Sequence, residues 1–308
     1  MTRRKIVRVM LALALVLVAL AAIFFLVVVP WFGTNIVTTY RFHFPDPNDG
    51  KTPESFGMAF SHIQFFSSDG IPLRGWYVPA PATPRGTLIY CHGKNRSRVE
   101  MLPMAVFGHS LGYAGLLFDF RHSGKSGGKI STLGYQERLD VEAAVRYALQ
   151  TEHAPRPIIL WGVSMGAAAA LMAAAETPAV QAVISDSTFL SFRNVIVHHV
   201  RLFFHLPSFP VADEIIAWSA WRGHFEPSQF DLRKAVRRIN PRPILFVAVR
   251  HDPRMPPWIA EELYGLATNP QKMIVIVPGY RHGEGFNSGR APYEAAVQKF
   301  LARLSPSP

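Results

Sequence analysis

The sequence lacks the residue patterns that many metal-dependent and nucleotide-dependent proteins require. Its single cysteine, Cys91, excludes an internal disulfide and a cysteine-based zinc cluster. Its 12 histidines include no H-E-x-x-H pair. Gly124-Lys125-Ser126 ends like a phosphate-binding loop, but the first glycine of that loop would fall at Asp119. We therefore expect neither a metal ion nor a cofactor.

Acidic residues are also scarce. The chain has 21 Asp and Glu against 32 Lys and Arg, which gives a net charge of +11. The basic residues are scattered, without the basic run with interleaved aromatics that is typical of nucleic-acid-binding proteins. We expect no nucleic-acid partner, and we interpret the excess charge as a basic surface near a membrane that carries anionic lipid.

The N-terminus is rich in apolar sequence. Residues 6–29 are almost wholly apolar, and the uncharged run from Val9 to Val29 is long enough for a helix that crosses a bilayer. A signal peptide, the alternative, usually has a shorter apolar region, and no convincing small-residue cleavage site follows this one. Trp31 and Phe32 stand where interfacial aromatics would flank such a helix.

The charges around this segment predict its orientation. Basic residues between Arg3 and Arg8 precede it, and the next charge is Arg41. Since positive flanks stay on the cytoplasmic side, we expect a single-pass membrane protein with a cytoplasmic N-terminus and an extracytoplasmic main domain. The predicted organisation is an anchor over 1–30, a connector over 31–57 that is turn-rich from residue 43, and one domain over 58–308.

Within that domain, short apolar runs alternate with helix-like segments. The first two runs predict an antiparallel hairpin, and the later ones predict parallel strands with crossover helices on both faces of a sheet, an α/β fold. The predicted strands are Phe60–Ser67, Leu73–Val78, Thr87–Cys91, Ala114–Asp119, Ile158–Trp161, Val180–Ser185, Ile244–Val249 and Met273–Val277. The predicted helices are about Val99–Phe107, Tyr135–Leu149, Met165–Glu176, Trp258–Leu266 and Ala291–Leu304.

The alternation stops in an aromatic-rich insertion at about residues 187–240. We predict a short helical cap there, over the C-terminal edge of the sheet. Two interpretations stay open, because aromatic residues usually form core: a small packed subdomain, or an apolar wall for an acyl or lipid chain. The aromatic residues are Phe189, Phe192, Phe203, Phe204, Phe209, Trp218, Trp221, Phe225 and Phe230.

A G-x-S-x-G turn from Gly162 to Gly166 joins a predicted strand to a predicted helix. In that context the serine sits on a sharp bend with its hydroxyl exposed above the sheet, so Ser164 is the candidate nucleophile. Gly108 to Gly112 has the same pattern around Ser110, but a helix precedes it and a strand follows. We interpret that second copy as the C-terminal turn of a helix.

A serine hydroxyl needs a base, and the base needs a group that orients it. In the chain order Ser, Asp, His, the histidine follows the last strand, where His282 stands. Asp252 follows the preceding strand and is the candidate acid. Asp186, which ends the strand after the nucleophile, is the alternative acid; otherwise we expect it to cap the first helix of the insertion.

Two backbone amides would complete such a site by stabilising an oxyanion. One should be the N–H of Met165, directly after the nucleophile, and the other should come from the loop after the first parallel strand. We select the N–H of Lys94, with Asn95 next. His92 lies in the same loop, and we expect it to shape that loop.

These motifs together resemble a known family. Over residues 58–304 the chain resembles α/β-hydrolase fold serine hydrolases, of the membrane-anchored esterase, thioesterase and monoacylglycerol-lipase-like branch. The resemblance is carried by His92-Gly93, by the segment from Asp119 to Ser126, by Gly162 to Gly166, by the D-x-x-M-P form at Asp252 and by Gly279 to His282. It implies a mostly parallel sheet with helices on both faces and a serine that transfers an acyl group to water.

The expected function is hydrolysis of a carboxylic ester or thioester with an apolar acyl group, reached at a membrane surface. A peptidase or amidase is an alternative, because the same residues cleave amides. A non-catalytic membrane-tethered binding protein on the same scaffold is a third possibility. The substrate's acyl length and head group do not follow from the sequence.

Overall fold

The computed structural model describes residues 3–42, 44–81 and 83–304. The predicted anchor begins at residue 1 and the predicted main domain ends at residue 308, and both of these residues lie outside the described ranges. Within them, eight strands form one sheet in the order β1-β2-β4-β3-β5-β6-β7-β8. The strands are β1 Ser61–Phe66, β2 Pro72–Val78, β3 Thr87–Cys91, β4 Ala114–Phe118, β5 Ile158–Val163, β6 Val180–Asp186, β7 Ile244–Val249 and β8 Met273–Val277.

The sheet is mostly parallel, as predicted. β1 pairs antiparallel with β2, β2 pairs antiparallel with β4, and the pairings from β4 through β8 are parallel. Strands β3, β4, β5 and β7 consist of buried residues, as expected for parallel strands covered on both faces. The carboxyl ends of β3, β5, β7 and β8 therefore meet at one edge, which is where ligands bind in open α/β sheets.

Helices cover both faces of the sheet. One face packs against the helices at Leu102–Ser110 and Arg290–Ala302, and the other packs against those at Glu137–Gln150, Met165–Glu176 and Trp258–Leu266. The helix at Leu232–Ile239 packs on the last two of these helices. The helices after the N-terminal segment are α3 Leu102–Ser110, α4 Glu137–Gln150, α5 Met165–Glu176, α6 Phe192–Phe204, α7 Val211–Gly223, α8 Leu232–Ile239, α9 Trp258–Leu266, α10 Gly285–Ser288 and α11 Arg290–Ala302.

The N-terminal segment is one long apolar helix. Helix α1, Arg3–Ile23, continues through a π-helical turn at Phe24–Val28 into helix α2, Val29–Thr38. Proline lacks an N–H and its ring clashes with the carbonyl four residues earlier, so the wider turn just before Pro30 accommodates it without ending the helix. Among the described residues, this helix alone is long and apolar enough to cross a membrane.

The helix extends further than the sequence indicates. The connector was expected to begin at residue 31, but helix α2 runs to Thr38 and docks on the cap. Gly33 packs against Ile215 of α7. The Arg222 guanidinium of α7 donates from Nη1 to Asn35 Oδ1, at 2.8 Å, and to Thr38 Oγ1, at 3.0 Å. These contacts explain why the last turns of α2 are buried while α1 is exposed throughout.

Helices α6 and α7 form the main part of the cap and lie between β6 and β7 in the chain. The side chain that caps α6 is Ser191, whose hydroxyl accepts from the N–H of Asn194 at 3.1 Å. The expectation that Asp186 caps this helix is therefore wrong, because Asp186 is still the last residue of β6. The Ser191 hydroxyl is at the N-cap itself, where a short side chain reaches the first free amides.

Candidate active site

Ser164 occupies a strained bend between β5 and α5. Its backbone has φ 54° and ψ −116°, a conformation that non-glycine residues rarely adopt. The two flanking glycines leave room for the bend. A Cβ at Gly162 would lie 2.5 Å from the amide nitrogen of Ala167, and one at Gly166 would collide with the carbonyl of Cys91. The bend thus holds the Ser164 hydroxyl above the edge of the sheet.

Ser164, His282 and Asp252 form one hydrogen-bonded chain. His282 Nε2 lies 2.7 Å from Ser164 Oγ, and His282 Nδ1 lies 2.7 Å from Asp252 Oδ2. The loops after β5, β8 and β7 supply the three residues, so the parallel sheet brings together positions far apart in the chain. Since the carboxylate accepts from Nδ1–H, Nε2 is free to accept the serine proton.

Several donors keep Asp252 ionised. Burial opposes its ionisation, but the hydrogen bond from His282 and those from the amides of Arg254, at 2.8 Å, and Met255, at 3.0 Å, outweigh it. The pKa of Asp252 is therefore lowered from its usual value. A charged, immobile carboxylate is what fixes the tautomer and orientation of the imidazole.

His282 is held neutral by its surroundings. Burial lowers its pKa, and the Arg254 charge adds to that effect, while the hydrogen bond to Asp252 opposes it. The net shift is downward. A neutral imidazole at neutral pH can act as a base towards the Ser164 hydroxyl.

The loop after β3 is clamped so that one amide remains free. The fully buried His92 accepts from the N–H of Phe120 at Nε2, at 3.0 Å, so its proton lies on Nδ1, which donates to the Gly93 carbonyl at 2.7 Å. The Gly93 N–H in turn donates to Glu100 Oε2 at 2.6 Å. The next amide, that of Lys94, has no acceptor within residues 3–42, 44–81 and 83–304, and neither has that of Met165.

The alternative residues have other partners. Asp186 accepts from Ser187 Oγ at 2.8 Å and from the Tyr293 hydroxyl at 3.0 Å, and burial raises its pKa to about 6. It has no contact with His282 among the hydrogen bonds of the described chain. Ser110 ends helix α3, where its exposed hydroxyl donates to the Phe107 carbonyl at 2.8 Å.

A cavity of about 310 Å³ opens beside Ser164. Its walls are mostly apolar and come from the N-terminal helix, the cap helices and the loop after β3. The aromatic insertion divides between core and cavity wall, because Phe192 and Phe230 are buried core while Phe203 and Phe204 line the cavity. The residues that line the cavity are Gly33, Ile36, Val37, Lys94, Asn95, Leu133, Ser164, Met165, Phe189, Val195, Ile196, His199, Val200, Phe203, Phe204, Ile215, Arg254 and Met255.

The charges in this cavity are positive. Burial lowers the pKa of Lys94 to about 8, against the opposing effect of the Glu137 carboxylate. Arg254 Nε donates to His199 Nε2 at 3.5 Å, and burial with the nearby Arg254 charge lowers the pKa of His199 to about 3. His199 is therefore a neutral acceptor.

Sequence reasoning missed His199, Arg254 and the wall formed by Ile36 and Val37. The short distance from Asp252 to Arg254 along the chain is a usable signal, since both lie in the loop after β7. For the wall residues the sequence offers no such signal, because Pro30, Gly33 and Asn35 precede them and favour a turn.

Known proteins share this architecture. An esterase of Pyrococcus furiosus, Pf2001, superposes with a TM-score of 0.69 at 24% identity, covering 86% of this chain and 98% of that one. The α/β hydrolase GrgF of a Penicillium species superposes with a TM-score of 0.62 at 21% identity, covering 80% of this chain and 99% of that one. The chain has the α/β-hydrolase fold. The prediction of this fold is therefore confirmed.

Sequence comparisons point in the same direction. Residues 82–225 match the family model described as serine aminopeptidase S33. The uncharacterized protein YqkD of Bacillus subtilis is 27% identical over 78% of this chain and 79% of its own length. With the esterase among the solved structures, these similarities support a hydrolase. They do not identify the bond that is cleaved or the residues that cleave it, and the geometry of the site is the basis for proposing both.

Proposed function

We propose that the chain is a serine hydrolase that cleaves carboxylic ester or thioester bonds in apolar, lipid-like substrates. The observation that carries this proposal is the pair of 2.7 Å contacts that link Ser164, His282 and Asp252. In this proposal Ser164 is the nucleophile, His282 the general base and acid, and Asp252 the group that orients the imidazole.

The proposed reaction has two stages. Ser164 Oγ attacks the acyl carbonyl while its proton passes to His282 Nε2, and the amides of Lys94 and Met165 donate to the oxyanion. The carbon–oxygen or carbon–sulfur bond then breaks, and the alcohol or thiol leaves with the proton from His282. Water, deprotonated by His282, attacks the acyl-serine, and the carboxylic acid departs as Ser164 regains its proton.

The charges of the cavity favour an ester over an N-terminal peptide. An aminopeptidase must bind the α-ammonium group of its substrate, which calls for a carboxylate near the nucleophile. Within the described part of the chain, the residues that line the cavity include no Asp or Glu, and Lys94 and Arg254 are cationic. An α-ammonium group would be repelled there, whereas a neutral or anionic ester would not.

The same proposal includes a membrane anchor. The apolar helix over residues 6–29, with basic residues before it, would cross the membrane once with its N-terminus in the cytoplasm and the catalytic domain on the other side. The apolar walls of the cavity agree with hydrolysis of a lipid-like substrate, a reaction for which we propose no cofactor.

Hydrolysis assays on the full-length protein in detergent test the proposal. We expect turnover of p-nitrophenyl esters and of acyl thioesters with medium or long chains, reduced at least ~10³-fold in Ser164→Ala. Aminoacyl p-nitroanilides, assayed in parallel, should not be cleaved. Faster cleavage of anilides than of esters would identify a peptidase instead, and folded wild type that cleaves none of these substrates would contradict the proposal.

A further inference from the structure

The hairpin formed by α6 and α7 ends in an uncharged, exposed apolar tip. No Asp, Glu, Lys or Arg stands between Arg201 and Asp213, and the one titratable side chain there is His205. At the tip, Phe203 is 56% exposed, Phe204 39% and Phe209 75%. The surfaces of soluble proteins seldom expose neighbouring phenylalanines, and such groups mark sites that contact a membrane or another protein.

The position of this tip follows from the packing of α7 on the N-terminal helix. Gly33 lies against Ile215, and five residues further along α2, Thr38 is bonded to Arg222. The two helices therefore run in the same direction, and the start of α7 lies beside the start of α2. Helix α7 also contacts the π-helical turn at Phe24–Val28.

The hairpin tip thus lies level with the end of the apolar segment. The tip directly precedes α7, and α7 begins beside the π-helical turn. Trp31 and Phe32, one turn further along, are 51% and 44% exposed and stand at the expected boundary of the apolar phase. A bilayer that surrounds residues 6–29 would therefore reach the tip as well.

We propose that the tip of the α6–α7 hairpin, residues 202–210, inserts into the lipid leaflet from which the N-terminal helix emerges, and that the substrate enters the cavity from that leaflet. The second half of this proposal rests on the proposed function. The tip contacts the acyl region of the bilayer, because it continues the apolar surface of the N-terminal helix.

The cavity connects this tip to Ser164. Phe203 and Phe204 belong both to the exposed tip and to the cavity lining, and Ile36 and Val37 of the N-terminal helix line it as well. The cavity therefore offers an apolar path from the leaflet, between these helices, to the reactive hydroxyl. The substrate class that fits is an ester of a bilayer-resident lipid.

A fluorescence experiment on the full-length protein in phosphatidylcholine–phosphatidylglycerol vesicles tests the insertion without relying on catalysis. Cys91 is fully buried, so a thiol-reactive, polarity-sensitive dye can be attached to the exposed thiol of Phe209→Cys. Ser110→Cys is the control, because Ser110 is exposed at the end of α3, next to the start of β4 and opposite the active-site edge.

We expect the dye at position 209 to show blue-shifted emission and to be quenched by lipids with spin-labelled acyl chains. The dye at position 110 should show neither effect. Equal, water-like emission and no quenching at both positions would overturn the insertion.

A kinetic comparison tests entry from the leaflet. The rate on a long-chain ester dissolved in the vesicle bilayer is divided by the rate on a short, water-soluble ester. We expect Phe209→Ser to lower this ratio several-fold, and Phe56→Ser, which changes another exposed phenylalanine, to leave it unchanged. An unchanged ratio in Phe209→Ser would overturn entry from the leaflet. Wild type that cleaves neither ester would refute the proposed function, whereas the fluorescence result would still decide the insertion.

Discussion

Gly33 of the N-terminal helix packs directly against Ile215 of the cap. An ideal Cβ at position 33 would lie 2.5 Å from Ile215 Cδ1, so a side chain there requires the Ile215 side chain to shift or α2 to move away from α7. The helix that would anchor the protein is in this way part of the cavity wall. Residues that were expected to form a connector instead shape the place where substrate would bind.

The first prediction concerns this contact. Replacing Gly33 by leucine should destabilise the cap by about 1–3 kcal/mol, as overpacking does, and should raise KM for long-chain esters. Gly265→Leu is the matched control, since a Cβ there meets nothing within 4 Å. Thermal unfolding and ester kinetics of both full-length variants measure the effect. Equal behaviour of the two would contradict the docking of α2 on the cap.

The second prediction separates the two candidate acids. Asp252→Asn should lower kcat by about 10³–10⁴-fold, because the amide no longer holds the imidazole in the productive tautomer. Asp186→Asn should have a far smaller effect, because Asp186 bonds to Ser187 and Tyr293 rather than to His282. Steady-state kinetics on one ester, with circular dichroism to verify folding, compare the variants. A larger loss in the Asp186 variant would reverse the assignment.

The third prediction concerns pH. The Ser164 proton is accepted only by neutral His282, and burial together with the Arg254 charge lowers the pKa of that imidazole. As the pH falls, activity should therefore persist below the ordinary histidine pKa of about 6.5 and be lost only as the lowered pKa is passed. Profiles of kcat/KM against pH give the pH at which activity is lost on acidification. In Arg254→Gln this pH should be higher, and a wild-type loss of activity above pH 6.5 would be inconsistent with the surroundings of His282.

The fourth prediction addresses the loop that presents the Lys94 amide. Glu100→Ala removes the acceptor of the Gly93 N–H and should lower kcat by about 10²-fold with little change in KM, because the loop acts on the transition state. Glu100→Gln keeps an acceptor oxygen and should restore most of the rate. The split between kcat and KM distinguishes this positioning role from a general loss of structure, which would affect both variants alike.

The fifth prediction concerns stability away from the site. Asp140 is fully buried and is bonded to the guanidinium of Arg121 at 2.7 Å. Asp140→Ala leaves a buried, partly unpaired cation and should cost about 3–5 kcal/mol. Asp213→Ala breaks the exposed pair with Arg193 and should cost less than about 1 kcal/mol. Chemical denaturation measures both losses, and similar values would contradict the importance of burial here.

The sheet was predictable because its strands are short apolar runs of β-branched residues between turn signals. The strands at Thr87–Cys91, Ile244–Val249 and Met273–Val277 have the predicted bounds. Those bounds locate Lys94, Asp252 and His282 in the loops that follow, so the geometry of the site depends on correct strand ends. The catalytic roles of these residues stay predictions until they are measured.

The docking of α2 was not predictable. Its last turns contain Gly33, Thr34, Asn35 and Thr38, which have low intrinsic helix propensity and favour a connector. In the structure, Arg222 and Ile215 bury these residues and hold them helical, so tertiary contacts override the local preference. The cavity residue His199 was missed for a different reason, because only the packing of α6 over the loop after β7 brings it to Arg254.

The most direct test of the central claim is the mass of the intact protein after reaction with a fluorophosphonate. The full-length chain in detergent, Ser164→Ala and Ser110→Ala are treated in parallel, since both serines stand in the same sequence pattern. We expect one adduct on the wild type and on Ser110→Ala, and none on Ser164→Ala. An adduct on Ser164→Ala, or none on folded wild type, would contradict the assignment of Ser164 as the nucleophile.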